Sequence, residues 1–209
     1  MAQKTKQSVS DKPARGRPSR RPQILAATEK LLRTQGLAAV TTRAIAAEAG
    51  CSEAAIYVHF KGRLELFLAV LEENLPNLIG SLRELESAAG KSTPHKNLDR
   101  VTRAIFDFHS RVVPMICSLF AEPVLLAAYR DTVLSRAKGP HPAIARIRKY
   151  IREEQKLGRL DKKIDAGFAA CTLMASSFFR AFSDHFLGRE DLLGISSKSI
   201  VESVLGKPG

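Results

Sequence analysis

The sequence predicts an all-α fold, and two observations support this prediction. Leucine, alanine and isoleucine dominate nearly every stretch after residue 18, and only 10 of the 209 residues are proline and 13 are glycine, so helix propensity exceeds strand propensity. Apolar residues also recur three and four positions apart, which is the spacing of one face of a helix. The balance of 44% hydrophobic and 26% charged residues is typical of a globular chain that folds without disulfide bonds.

The N-terminal part of the sequence divides into an arm and a first helix. Residues 1–18 are rich in Lys, Arg, Ser and Gln and have no apolar period, so we expect a disordered basic arm. The first helix is expected to begin at Ser19 and end near Gln35. Gly36 and Leu37 then have the pattern of a Schellman ending, a left-handed stop followed by an apolar contact back to the helix. The apolar face of this helix consists of Ile24, Ala27, Leu31 and Leu32.

Two short helices joined by about three residues follow. Thr41 is the expected N-cap of the first of these helices, and Gly50 is its stop. Ser52 is the expected N-cap of the next helix, whose inward stripe contains only Ile56 and Phe60, so this helix is about two turns long. Two short helices connected by a turn that begins with glycine form the helix-turn-helix pattern.

The remainder of the chain reads as a larger helical body. A fourth helix is expected from Arg63 to about Ala88, with a kink at Pro76, and the Gly, Ser, Thr and Pro of "AAGKSTPHKN" indicate a break after it. Further helices are expected near 97–113, 114–121, 123–138, 141–158, 164–187 and 196–205. The expected units are a basic arm at 1–18, a helix-turn-helix domain at 19–63 and a ligand-binding and dimerisation domain at 64–209.

The charge of the chain is positive and unevenly placed. The formal net charge is +12, and residues 1–63 hold twelve Lys or Arg against four Asp or Glu, a local excess of +8. This asymmetry indicates a polyanionic partner, either nucleic acid or an anionic membrane surface, although general solvation also explains a basic chain. The stretch "RGRP", which contains Arg15 and Arg17, fits an A·T-rich minor groove or is a solvated tail.

Other features exclude several function classes. The three cysteines, Cys51, Cys117 and Cys171, have neither disulfide nor metal spacing, which favours a reducing compartment and no metal or cofactor. The longest nearly apolar run, between Asp165 and Arg180, is too short to span a bilayer, so we expect a cytoplasmic protein without a membrane partner. The five scattered histidines and the carboxylates show no catalytic constellation, so we do not expect an enzyme.

The outward face of the third helix carries Glu53, Ala54, Tyr57 and, at its end, His59. Small outward residues let a short helix enter a DNA groove, while Tyr57 and His59 reach the flanking phosphates. Glu53 has two readings: it accepts from a cytosine amino group, or it only favours the helix N-terminus by its charge. The alternative for Tyr57 and His59 is that they are ordinary, partly buried polar aromatics.

Residues 41–73, "TTRAIAAEAGCSEAAIYVHFKGRLELFLAVLEE", closely resemble the DNA-binding domain of the TetR family of transcriptional repressors. The most specific parts are "TTRAIAAEAG", "AIYVHF" as the recognition helix, and "LELFLAVLE" in the fourth helix. The resemblance implies a homodimer on a palindromic double-stranded operator, released from it by a small inducer. It also implies phosphate contacts for Thr41, Tyr57, His59 and Lys61, a guanine contact for Arg43 and a backbone contact for Arg63. The candidate DNA-binding set is Arg15, Arg17, Thr41, Thr42, Arg43, Ser52, Glu53, Ala54, Ala55, Tyr57, His59, Lys61 and Arg63.

In the body, large side chains and a few polar anchors suggest an apolar pocket for a lipophilic ligand. Each of them taken alone is also explained as ordinary core. The candidate ligand-binding residues are Phe106, His109, Met115, Cys117, Phe120, Tyr129, Phe178, Phe179 and Phe182.

The helix expected at 164–187 has two apolar sides, one through Phe168 and Phe179 and one through Met174 and Phe178. One helix cannot bury both sides alone, so 164–187 and 196–205 are expected to form a four-helix dimer interface. The leading hypothesis is therefore a ligand-responsive repressor. The alternatives are a basic DNA-binding protein without inducer control, and an architectural or membrane-surface protein that binds without sequence preference.

Overall fold

A computed structural model describes residues 19–135 and 139–207 of the chain. Within these ranges the backbone forms nine α-helices and one 3₁₀ turn, with no β-strand, which confirms the all-α prediction. None of the helices in these ranges has an apolar stretch long enough to cross a bilayer.

The N-terminal helices form a small head. They are α1 (Arg21–Gln35), a 3₁₀ turn (Leu37–Ala39), α2 (Thr42–Ala49) and α3 (Glu53–His59). The two predicted N-caps are confirmed, since the Thr41 side chain accepts a hydrogen bond from the Ala44 amide at 3.1 Å and Ser52 accepts one from Ala55 at 3.3 Å. The predicted Schellman ending at Gly36 is wrong. Gly36 has φ 75° and ψ 176°, outside the left-handed helical region that this ending needs, and the chain passes directly into the 3₁₀ turn.

The larger body contains α4 (Arg63–Ser87), α5 (Pro94–Leu119), α6 (Pro123–Ser135), α7 (Pro140–Lys156), α8 (Ala166–Leu187) and α9 (Ser197–Leu205). The sequence predicted a break at Pro114, between helices at 97–113 and 114–121, and that prediction is wrong because α5 is continuous. Val112, Val113 and Met115 around the proline are fully buried, and this burial outweighs the one backbone hydrogen bond that proline removes. The helix also starts earlier than expected, at Pro94, with Thr93 as its N-cap.

Two clusters of buried side chains hold the chain together. The first cluster joins the head to the first turns of α4 and the last turns of α5, and it includes Ile45, Ile56 and Met115. The second joins the rest of α4 and α5 to α7, α8 and α9, and it includes Leu98 and Ile147. Both α4 and α5 therefore contribute to both clusters, so a shift of either helix affects the packing of the head and of the body.

A buried polar network closes the end of the body at the α4–α5 turn. Glu154 of α7 is completely buried, and its Oε1 atom accepts a hydrogen bond from the Gly90 amide at 3.2 Å. Its Oε2 atom lies 3.3 Å from Nε of Arg159 and has no hydrogen-bond partner among the described residues. The Tyr150 hydroxyl, which accepts from Asn97 at 2.9 Å, lies beside this carboxylate, and burial raises the pKa of Tyr150. The ion pair with Arg159 and the hydrogen bond from Gly90 thus tie α7 to the turn between α4 and α5.

Candidate functional site

The outer face of α3 exposes large side chains to solvent. Ala54, Tyr57 and Val58 are exposed there, with Tyr57 60% and Val58 79% accessible to solvent, while Ile56 alone in this helix is fully buried. A helix of seven residues that exposes two large side chains gains little from its own packing. Its position is therefore fixed by the neighbouring turn and by α2.

The turn before α3 is set by backbone geometry. Gly50 adopts the left-handed conformation, φ 62° and ψ 40°, which glycine reaches at no steric cost. Its amide and that of Cys51 bond back to the last carbonyls of α2, with the Cys51 amide 3.0 Å from the Ala46 oxygen. The Arg20 guanidinium donates to the Gly50 carbonyl at 2.8 Å, which holds the start of α1 against the same turn.

One side-chain hydrogen bond joins α2 to α3. The Thr42 hydroxyl donates to the Glu53 carboxylate at 2.6 Å. Glu53 is also the first residue of α3, where its negative charge is favourable to the helix dipole. In the free chain Glu53 therefore has an intramolecular role, which favours the second of the two readings of this residue. Thr41 and Ser52 serve as caps, and Ala55 is partly buried.

The other candidate contacts surround this face. Arg43 on α2 and Lys61 after α3 are exposed. His59 is partly buried, with its ring edge-to-face on Phe60 at 6.4 Å between centroids. Arg43 has no hydrogen-bond or ion-pair partner in the part of the chain that the structure describes, so its guanidinium is available to a ligand.

Arg63 lies differently from the other basic candidates. Its guanidinium donates to the Leu37 carbonyl at 3.0 Å and to Glu122 at 3.4 Å, so it connects the head to the start of α6. Its contact with a DNA backbone stays a prediction, and in the free chain the side chain is used within the protein. Arg15 and Arg17 lie outside the described residues.

Val58 is a candidate that the sequence analysis missed. It is the more exposed of the two large side chains on α3 and follows Ala54 by four residues, so both lie on one face of the helix. The i+4 spacing from Ala54 is a signal in the sequence that could have identified it. An exposed apolar side chain at this position is suited to contact a thymine methyl group.

Four of the candidate ligand-binding side chains meet between α5 and α8. The His109 ring lies edge-on to Phe178 at 5.5 Å, and Phe178 stacks on Phe182 at 6.5 Å. His109 is 7% exposed, its Nδ1 atom has no hydrogen-bond partner among the described residues, and burial lowers its pKa to about 4. Phe106 lies nearby under the Arg180 guanidinium, 4.0 Å from the ring centroid. The sequence analysis did not single out Arg180.

The other five candidates do not join this cluster. Met115 is buried in the core below the head, and Tyr129 packs edge-on against Phe67 at 5.8 Å. Cys117 and Phe120 are exposed near the end of α5, and Phe179 is exposed on the side of α8 that lies next to α9. The nine residues are therefore not brought to one cavity, because positions on a long helix share a face only at helical spacing.

The free face of α8 lies beside α9. Phe168 and Phe179 on this face are 75% and 55% exposed. An open groove of about 490 Å³ runs between the two helices and is lined by Phe179, Ser176 and Ile200 among others. Two large aromatic side chains of this face thus remain uncovered in the single chain.

In the ranges that the structure describes, no three His, Cys, Asp or Glu side chains converge as metal ligands would. The features that remain are the exposed face of α3, the aromatic cluster of α5 and α8, and the apolar face of α8.

Comparison with known proteins identifies relatives of the head. The family described as "Bacterial regulatory proteins, tetR family" matches residues 24–70. The HTH-type transcriptional activator FasR of Mycolicibacterium smegmatis is 36% identical over 93 residues. This match covers 44% of the present chain and 41% of FasR, so the two sequences align over less than half of either protein.

Solved structures share the fold over nearly the whole chain. SmeT, the repressor of the Stenotrophomonas maltophilia multidrug efflux pump SmeDEF, superposes with a TM-score of 0.63 at 24% identity, covering 90% of this chain and 91% of SmeT. The complex of SmeT with triclosan superposes with a TM-score of 0.62 at 21% identity, covering 91% and 93% of the two chains. These similarities concern the fold.

Proposed function

We propose that this chain, whose residues 24–70 match the tetR family of bacterial regulatory proteins, is a sequence-specific DNA-binding transcriptional regulator of that family, a repressor that a small, largely apolar ligand releases from its operator. The observation that carries the proposal is the exposed face of α3. The Thr42–Glu53 hydrogen bond and the left-handed Gly50 hold this helix at a fixed angle to α2. A recognition helix must be held in this way to read base edges in the major groove.

The roles proposed for the individual residues follow from their chemistry. Arg43 reads a guanine through its bidentate fork on O6 and N7, and Val58 contacts a thymine methyl group. Tyr57, His59, Thr41 and Lys61 contact phosphates and fix the position of the head on the duplex. The basic arm with Arg15 and Arg17 adds affinity in the adjacent minor groove.

The regulator is proposed to act as a homodimer through α8 and α9. Burying Phe168 and Phe179 removes exposed aromatic surface from water, and such surface is rare on monomers unless it serves an interaction. The two heads of a dimer then bind half-sites about one turn of B-DNA apart. The operator is therefore expected to be palindromic.

The substitution Phe179→Asp is expected to convert the dimer into a monomer, because it places a charge in the centre of an apolar interface. Sedimentation velocity over a range of protein concentrations measures this change. Phe120→Asp is the matched control, since Phe120 is also exposed but lies at the end of α5. A wild-type protein that stays monomeric at every concentration contradicts the proposed interface, as does a Phe179→Asp variant that stays dimeric.

The ligand is proposed to bind beside His109 between α5 and α8. The buried, neutral imidazole has an unpartnered nitrogen and aromatic neighbours, which suits an apolar molecule with one polar group. The binding of triclosan by SmeT, a protein of the same fold, is consistent with a ligand of this kind. Release needs only that the ligand prefers a conformation in which the two heads have a different spacing. Because α4 and α5 pack in both clusters, they are suited to couple ligand binding to a movement of the heads.

The experiment that tests this function is selection of bound duplexes from a random DNA library by the full-length protein. We expect enrichment of one palindrome with half-sites about 10 base pairs apart. No enriched motif, with retention of all sequences alike, would instead support the alternative of a basic DNA-binding protein without inducer control.

A further inference from the structure

We propose that a groove between α4 and α5 binds a small amphiphilic anion, a carboxylate or phosphate group joined to a short apolar body. The groove has a volume of about 240 Å³ and lies on the outer side of the two helices. Pockets for drug-sized ligands measure about 300–1,000 Å³, so this groove is suited to a shorter molecule. The groove is separate from the aromatic cluster around His109. The two are linked by Phe108, which lines the groove and has its ring centroid 5.6 Å from that of His109.

The lining of the groove is rich in arginine. Three arginines of α5, Arg100, Arg103 and Arg111, line it together with a single acidic residue, Asp107. The lining itself therefore carries three positive charges against one negative charge.

Two of the arginines have acidic neighbours outside the groove, but the third does not. Arg100 lies 3.8 Å from Glu84, and Arg103 pairs with Asp99. In the described part of the chain Arg111 has neither an ion pair nor a hydrogen bond, although it lines the groove. Its guanidinium is thus available for a bidentate contact with a carboxylate or phosphate group.

The other lining residues explain why the proposed ligand has an apolar body. Leu78, Ala104 and Phe108 supply an apolar floor that is buried or partly buried. The Asn77 and Ser81 side chains supply neutral hydrogen-bonding groups between this floor and the arginines. An inorganic anion would leave the floor uncovered, whereas an alkyl chain attached to the anion covers it.

One end of the groove contacts the head. Asn74 also lines the groove, and its amide donates to the Val70 carbonyl at 3.0 Å and to Glu29 of α1 at 3.4 Å. A ligand that displaces or orders Asn74 therefore changes a contact between α4 and the first helix of the head.

Isothermal titration calorimetry on the full-length protein tests the proposal with four probes: octanoate, octyl phosphate, 1-octanol and inorganic phosphate. We expect saturable binding of octanoate or octyl phosphate, and the stronger of the two identifies the head group. At this groove we expect 1-octanol and inorganic phosphate to bind at least about tenfold more weakly, because each lacks one of the two required parts. Binding of 1-octanol that is unchanged in Arg111→Gln is assigned to the aromatic cluster around His109 instead.

The matched variants are Arg111→Gln and Arg130→Gln, which remove the same charge from two exposed arginines. Arg111 lines the groove, whereas Arg130 lies on α6. We expect about a tenfold or larger loss of affinity for the preferred probe in Arg111→Gln and no change in Arg130→Gln. Because Arg111 has no partner within the described chain, its replacement is not expected to unfold the protein, and circular dichroism checks this.

The proposal is overturned if none of the probes binds at millimolar concentration, if Arg111→Gln weakens the binding of 1-octanol as much as that of octanoate, or if both variants weaken binding equally. Inorganic phosphate that binds as tightly as octyl phosphate also overturns it, because the apolar floor then contributes nothing. These titrations contain no DNA, so their failure is distinguishable from failure of the proposed regulatory function.

Discussion

Substitution of Glu154 by alanine is expected to lower the free energy of unfolding by about 3 kcal/mol. The change removes the acceptor for the Gly90 amide and the carboxylate that pairs with the Arg159 guanidinium, which keeps its contact with the Ser92 carbonyl. Because Glu154 is completely buried, the shorter alanine side chain also leaves a cavity beside Tyr150. Urea denaturation followed by circular dichroism measures the effect.

Glu153 provides the matched control on the same helix. It is partly exposed and pairs with Lys156 at 2.8 Å across one turn, so Glu153→Ala is expected to cost less than about 0.5 kcal/mol. Equal effects of the two substitutions would show that the buried network does not stabilise the fold as we infer. A large loss in Glu154→Ala alone is the result we expect.

Acidification is expected to destabilise the protein through His109. The pKa of this histidine is about 4 in the folded chain and about 6.5 in an unfolded chain. The unfolded state therefore binds a proton that the folded state does not, and the contribution of the neutral imidazole to stability is lost as the pH falls from about 6.5 towards 4. This one group accounts for about 2 kcal/mol of lost stability between pH 8 and pH 5.

The variant His109→Leu isolates this effect because leucine does not titrate. Urea denaturation of both proteins at several pH values gives the difference in their unfolding free energies. We expect this difference to shift by about 2 kcal/mol in favour of the variant between pH 8 and pH 5, whatever its value at pH 8. A difference that does not change with pH would mean that His109 is solvated or paired in the folded protein.

Local signals made the head predictable from the sequence. Thr41 and Ser52 are caps because each is a hydroxyl residue placed before a helical stretch, and Gly50 is a turn because glycine adopts the left-handed conformation. These features depend on neighbours only a few residues away. Local signals are misleading at Gly36 and at Pro114, where packing by distant residues outweighs the local preference of the chain.

The body was less predictable, because its sites depend on which helices meet. The contact between His109 and Phe178 joins residues of α5 and α8, and no local pattern indicates it. The exposure of Phe179 on one side of α8 and the burial of Met174 on another also follow from the position of α9 and α5. The sequence identified a helix with two apolar sides, and the packing decides which side is left uncovered.

The central claim, that the face of α3 reads a specific DNA sequence, is tested most directly by fluorescence anisotropy of the full-length protein. The selected palindrome is compared with a scrambled duplex of equal length at physiological salt. We expect a preference of about a thousandfold or more for the palindrome. In Arg43→Ala we expect that preference to fall by about tenfold or more, and in Arg130→Ala we expect it to stay as in the wild type. Equal binding of both duplexes, steeply weakened by salt, would contradict the claim.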